Sequence, residues 1–320
     1  MKKDDKEIGV KFEDLPPKRQ KLLMDTVDQL KPIDDAMAHK LMETMECTQE
    51  ILRASLSSSE LMLAFCLPQK FLRNLDDVHS VILDALCLDQ TGNWYDVEVQ
   101  QSDDDDHQKR IRYNISNMDT FLAENGTKYR DLKNAVGVIL TKNNFLYRKG
   151  LVKEKKAVYE MAYCLTDSGA VSDMGTKAVY VNAEVQDGSP AADLMHFMVT
   201  GEGGENFPAL RKRYDFFTKK NRGRKKMCEV IEKLIQDEHE ELLKENDALK
   251  ERAEEAEAAT KKAEAEAART RENMISSLVT SAYYYGQPIL SAISYLVDQM
   301  GFSEEEAERT ARKYWPVPLV

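Results

Sequence analysis

The sequence predicts an α/β fold: a mixed sheet with helices on both faces, then a long polar helix and a small helical end piece. Three observations carry this. Through residue 140 the elements read helix, three strands, helix, strand. The hydrophobic pattern switches between strand alternation and helical spacing at the borders of those elements. Beyond residue 226 the apolar residues thin to a heptad-like seam in a run rich in Glu, Lys and Ala.

The bulk numbers agree with a folded domain that carries an appendage. The chain has 320 residues, 42% hydrophobic and 32% charged. No basic segment followed by an apolar run marks a secretory signal. The late apolar stretch 274–300 is broken by Gly286-Gln287-Pro288, which argues against a membrane span. Five cysteines without a CxxC pair read as buried or free thiols of a reducing cytoplasm. The net charge of −11 hides segregation. Arg211, Lys212, Arg213, Lys219, Lys220, Arg222, Arg224, Lys225 and Lys226 crowd one stretch, while acid collects at residues 103–106 and after 229.

Taken in order, residues 1–30 are polar, contain Pro16-Pro17, and read as a loose arm leading into a short helix. Pro32-Ile33-Asp34-Asp35 suits a helix start, with Ala36, Met37, Leu41, Met42, Ile51, Leu52 and Leu56 at helical spacing. Residues 61–67, closed by Pro68, form the first strand, 81–88 the second and 94–100 the third, with Gln90-Thr91-Gly92-Asn93 as turn chemistry. Ile111, Ile115, Met118 and Leu122 share one face of a helix over 105–124, ended by Asn125-Gly126. Residues 135–140, 157–165 and 178–181 are further strands, and Phe207-Pro208 opens a basic helix. The expected domains are an arm 1–30, a sheet domain 31–225, a coiled-coil helix 226–275 and a helical piece 276–320. In the helix, Ile235, His239, Leu242, Asn246, Leu249 and Ala253 take a and d positions, with Asn246 as a register-fixing polar residue. The alternative is a single solvated helix laced by ion pairs. Ser303 and Glu306 fit a capping box.

The chemistry concentrates in LDALCLDQTGNWYDVEVQQ, residues 83–101. Asp96, Glu98 and Gln100 share one strand face, and Asp84 lies inside the preceding strand. An isolated buried carboxylate costs several kcal/mol or takes up a proton, and two facing carboxylates repel. A divalent cation removes both penalties, and Mg²⁺ favours one or two carboxylates with water and phosphate oxygens. For Asp84 to face the second strand's acids, the loop between the strands must hold an odd number of residues or carry a bulge. A Thr91-Gly92-Asn93 loop places Asp84 opposite Gln100.

The pattern D-x(13)-E-x-Q within helix-strand-strand-strand-helix-strand resembles the PD-(D/E)XK nuclease superfamily. The run SVILDALCLDQTGNWYDVEVQQSDDDDHQKRIRYNIS is similar to the recombination-promoting nuclease and transposase family. The likeness extends from PIDDAMAHKLM to YVNAE, DLMHFM and FPALRKR, about residues 30 to 225. The resemblance implies a PD-(D/E)XK-like αβββαβ core and a Mg²⁺-dependent DNA endonuclease, with Mn²⁺ able to substitute. Asp84, Glu98 and the backbone carbonyl of Val99 would hold the metal. Metal-activated water would attack the phosphodiester in line. Gln100 stands where the superfamily more often has Lys; it can orient water but brings no charge.

Other candidates are weaker. Residues 103–106 suit a helix N-terminus that favours anions. Lys109, Arg110 and Arg112 either form a solvated face or contact DNA phosphates. Arg211, Lys212 and Arg213 head a basic stretch that either binds DNA or meets acids of a partner chain. Asp34 and Asp35 suit capping, though a first-helix acid can add a metal ligand in this superfamily. His39, His79, His107, His196 and His239 lack zinc spacing, and only His107 lies near the proposed site. Glu184 in YVNAEVQDG repeats ExQ but reads as a strand end. Walker loops, dinucleotide turns and Ser-His-Asp signatures are missing. The expected protein is therefore a cytoplasmic, homodimeric DNA endonuclease. The alternative keeps the nuclease fold as a weakly catalytic or inactive DNA-binding or assembly protein.

Overall fold

The structure, a computed structural model, describes residues 10–72, 81–102, 106–123 and 128–316. The acids Asp103 to Asp105, the expected Asn125-Gly126 cap, His79 and residues 1–9 of the expected arm lie outside the described residues. The chain forms two compact units, Met1–Gln236 and Asp237–Val320.

Three helices lead the first unit: α1 (Pro17–Gln29), α2 (Asp35–Met42) and α3 (Met45–Ser55). Part of the expected loose arm is thus a packed helix, because Leu23 and Val27 of α1 bury completely in the main core. The apolar periodicity over 36–56 belongs to two helices, parted where Thr44 adopts an extended backbone. Strands β1 (Leu63–Leu72), β2 (Val81–Asp89) and β3 (Trp94–Gln100) follow, then α4 (His107–Leu122) and β4 (Ala135–Thr141). The short α5 (Phe145–Arg148), β5 (Val158–Ala162), β6 (Thr176–Asn182), α6 (Pro190–Thr200) and α7 (Pro208–Lys219) complete the sheet domain.

The six strands lie in the order β1-β2-β3-β4-β6-β5. β2 pairs antiparallel with β1 and β3, while β4 runs parallel to both β3 and β6, so the sheet is mixed as expected. β1 continues past Pro68, where the sequence suggested a stop. As the edge strand it has one unpaired side, where the missing proline N–H costs nothing.

Helices cover both faces. Val97, Val99, Val138, Leu140, Val179 and Val181 pack beneath the layer that includes Met37, Ile51 and Phe197. On the other face Ile111, Ile115 and Met118 of α4 lie over Leu86, Ile139 and Tyr180. Gly137 lets α4 approach β4: an added Cβ would stand 2.2 Å from Ile111 Cδ1. Gly137→Val should therefore lower stability by about 1–3 kcal/mol, read as a shifted denaturation midpoint.

Asp89 sets the hairpin register. Its Oδ1 accepts from Thr91 N, Thr91 Oγ1 and Asn93 N, each at 2.8 Å. Its Oδ2 accepts from Asn93 Nδ2 at 3.0 Å and Tyr95 Oη at 2.8 Å. The Asp89 N–H donates to Asn93 O, which closes the loop around Gln90, Thr91 and Gly92. The loop is odd, as required, but begins one residue earlier than the expected Thr91-Gly92-Asn93. With Ala85 opposite Val97 and Leu86 opposite Asp96, the register brings Asp84 to Glu98 rather than Gln100.

The long helix α8 (Asn221–Tyr284) is continuous and extends beyond residue 275. In the second unit its end joins α9 (Ile289–Met300) and α10 (Glu304–Tyr314) around Ile275, Val279, Leu296, Ala307 and Ala311. Ser303 and Glu306 form the expected capping box. Among the described residues no helix is long and apolar enough to cross a membrane.

Candidate active site

Two carboxylates interlock where β2 and β3 separate. Asp84 Oδ2 accepts from Val99 N at 2.9 Å, and Glu98 Oε1 lies 3.3 Å from Asp84 N, which donates to it. Each side chain thus holds backbone beside the other. Glu98 is 1% exposed and Asp96, two residues earlier on the same strand face, is fully buried. Asp96 Oδ2 accepts from Asn114 Nδ2 of α4 at 2.9 Å. Asp96 Oδ1 and Glu98 Oε2 are buried without a hydrogen-bond donor.

The electrostatics follow from this crowding. Burial first, and the Asp84 charge after it, push the Asp96 carboxyl up to about 7, against the pull of Asn114. Burial, then Asp96 and Asp84, raise Glu98 well above the usual carboxylate range. Arg110 opposes that rise: its Nη2 stands 3.4 Å from Glu98 Oε2, and its Nη1 donates to Gln100 Oε1 at 3.3 Å. Its guanidinium therefore lies beside both the Glu98 carboxylate and the Gln100 amide.

α2 supplies a further group. His39 Nε2 meets Asp84 Oδ1 at 3.0 Å, and Gln69 Nε2 meets His39 Nδ1 at 3.0 Å. A carboxylate oxygen only accepts, so Nε2 carries the proton and Nδ1 accepts from the Gln69 amide. The hydrogen bond to Asp84 raises the His39 pKa above its ordinary value. Spacing alone gave no reason to choose His39, because its partner comes from another layer. His107, the histidine expected near the site, is buried with its ring centroid 4.5 Å from that of Phe145.

The remaining candidates divide. Asp35 Oδ1 accepts from Gln101 Nε2 at 3.0 Å, at the end of β3, whereas Asp34 Oδ2 accepts from Lys31 N. Glu184 binds Arg148 and the Asn144 N–H, away from the acid pair's contacts. Lys109 is exposed and lies 3.4 Å from Asp106; Arg112 is exposed on α4. The basic stretch is partly neutralised by the chain itself. Arg211 bonds Asp215 and the carbonyls of Gly201 and Gly203, and Arg213 bonds Glu43 and Lys40 O. Arg224 pairs with Asp28 and Lys225 with Glu13. Lys212, Lys219, Lys220, Arg222 and Lys226 stay exposed.

Among the described residues, no three His, Cys, Asp or Glu side chains are gathered as a metal cluster. The donors present nevertheless fit a hard cation: Glu98 Oε2 and Asp96 Oδ1 are buried without a hydrogen-bond donor, and crowding of the carboxylates favours a further positive charge beside that of Arg110.

A mixed sheet, a β2–β3 hairpin bearing interlocked acids and a following helix over the acid-bearing face form a PD-(D/E)XK-like core. Residues 42–169 match the family model described as PD-(D/E)XK nuclease family transposase. The matched segment runs from the end of α2 past β5 and includes Asp84, Glu98, Gln100 and Arg110. The family supports a nuclease-like enzyme. Neither curated proteins nor solved structures gave a match.

Proposed function

We propose that this protein is a Mg²⁺-dependent DNA endonuclease of the transposase-associated, recombination-promoting kind. The observation that carries the reading is the Asp84–Glu98 interlock, in which Glu98 Oε2 is buried without a hydrogen-bond donor. Asp84, Glu98 and the Val99 carbonyl would hold the ion. A divalent cation there, Mg²⁺ or Mn²⁺, supplies Lewis acidity and lowers the pKa of bound water. His39 positions Asp84 from α2, and the Gln100 amide orients a water molecule. Arg110 supplies the charge Gln100 lacks, at the place where negative charge develops on the phosphodiester. Lys109, Arg112 and Lys212 can meet backbone phosphates; Arg211 and Arg213 do so only by leaving their present partners.

Arg110→Ala should slow nicking about 10²-fold. Adding Gln100→Lys to that variant should recover part of the rate, because the charge returns from the neighbouring strand.

Dimerisation through 226–275 is part of the proposal. Leu242 and Leu249 stand 63% and 57% exposed on α8, one heptad apart. Light scattering of the full chain tests it; a monomer at micromolar concentration counts against it. A cytoplasmic setting suits both the DNA substrate and the free thiols.

The test of the enzyme is nicking of supercoiled plasmid by the full chain with Mg²⁺, and its loss with a chelator. The second reading, a DNA-binding or assembly protein with little turnover, is favoured by Gln100 alone. A gel shift without nicking at any Mg²⁺ or Mn²⁺ concentration would establish that reading and defeat the first.

A further inference from the structure

Two thiols face each other across the edge of the sheet. Cys66 on β1 and Cys87 on β2 are direct register partners, with their sulfurs 3.0 Å apart. Opposite residues of an antiparallel pair have Cα atoms about 4.5–5.5 Å apart, within the roughly 4.4–6.8 Å that a disulfide spans. Both sulfurs thus already lie where a bond can form without a change of register. The other cysteines differ in setting: Cys47 and Cys228 are buried and Cys164 is exposed.

We propose that Cys66 and Cys87 are a modification site, a dithiol that a peroxide oxidises to an intrachain disulfide. The two sulfurs take different roles. Cys66 is half-buried on the outermost strand, whereas Cys87 is fully buried. The Cys87 S–H donates to the Cys66 sulfur, and the Thr48 hydroxyl lies 3.6 Å from it. The Cys87 contact favours thiolate at Cys66, whose pKa is lowered, while the same contact and burial raise Cys87. Cys66 is therefore the nucleophile and Cys87 the resolving thiol.

The chemistry balances. The Cys66 thiolate attacks a peroxide oxygen, the O–O bond breaks, and hydroxide leaves to take a proton as water. The Cys66 sulfenic acid is then attacked by the Cys87 sulfur: the S–S bond forms, the S–O bond breaks, and hydroxide leaves with the Cys87 proton as water. Two thiols lose two electrons and two protons, and one peroxide becomes two waters. In a reducing compartment the bond forms transiently and thiols reverse it.

The bond would tie β1 to β2 close to the candidate site. Three residues along β1, Gln69 holds His39; three residues back along β2, Asp84 accepts from His39. The inference rests on strand register and sulfur separation, and it stands whether or not the chain cuts DNA.

The reduced full-length protein is treated with hydrogen peroxide, quenched with an alkylating reagent, unfolded and mapped by mass spectrometry. The expected result is a Cys66–Cys87 linked peptide pair, a mass lower by two hydrogens, and recovery of both thiols with dithiothreitol. In Cys87→Ser, dimedone should trap a sulfenic acid at Cys66 and the link should vanish. Alkylation of both Cys66 and Cys87 after treatment, with oxidation confined to Cys164, overturns the proposal. So does a link that joins Cys164 between chains while the Cys66–Cys87 pair stays reduced.

Discussion

Glu98→Gln is expected to cut the nicking rate at least about 10³-fold while raising the melting temperature of the metal-free protein. The two effects have one cause. Glu98 is 1% exposed, its Oε2 has no hydrogen-bond donor, and Asp96 and Asp84 both press on its charge. At a pH high enough to ionise Glu98, a neutral amide of the same shape keeps the acceptor for the Asp84 N–H and removes the like-charge repulsion. It also removes an anionic oxygen from the proposed cation site. Sites that bind charge are commonly less stable than their neutral variants. A thermal melt with and without Mg²⁺ separates the effects: the parent should gain stability from the ion by binding linkage, and the variant should gain little. Parent-like nicking by Glu98→Gln would remove Glu98 from the metal site. Unchanged stability with lost nicking would leave the chemistry intact and refute the account of burial.

The hairpin was legible because its polar residues alternate on a strand that is otherwise apolar. An odd loop followed from the demand that the acids share a face. The loop's start was not legible, since it depends on which backbone groups Asp89 gathers, and that choice moves Asp84 from Gln100 to Glu98. The strand that outlasts Pro68 required knowing that β1 lies at the edge. Arg110 could be placed on α4 from periodicity, but its reach to Glu98 and Gln100 depends on the helix's seating over β3 and β4. His39 and the Cys66–Cys87 pair were hidden for the same reason, as both depend on pairings between separate elements. The basic stretch shows the limit of charge counting. Arg213, Arg224 and Lys225 meet acids more than 150 residues earlier in the chain, and no local pattern marks those partners.

The metal-free protein should become less stable as pH rises from about 4 to about 7, by up to roughly 4 kcal/mol. Asp96 dominates this expectation. Burial lifts its carboxyl from the ordinary 3.8 to about 7; the Asp84 charge adds to the rise, and Asn114 and Arg110 oppose it. Between those values the folded protein keeps a proton that the unfolded chain has released. Stability is then fullest below the unfolded carboxylate value and falls as pH climbs through the folded one. Glu98, also raised by burial and its acidic neighbours, contributes with the same sign. Asp89 works in the opposite direction: burial disfavours its charge, but Asn93, Thr91 and Tyr95 hold its pKa below the usual range. Urea midpoints measured in chelator across this pH range should therefore decline in the parent and flatten in Asp96→Asn. At pH 7 and above, Mg²⁺ should restore what deprotonation removes, because the cation replaces the proton as the balancing charge. An equal decline in Asp96→Asn would place the titrating group elsewhere. Failure of Mg²⁺ to restore stability would show that the proton's place is not the cation's.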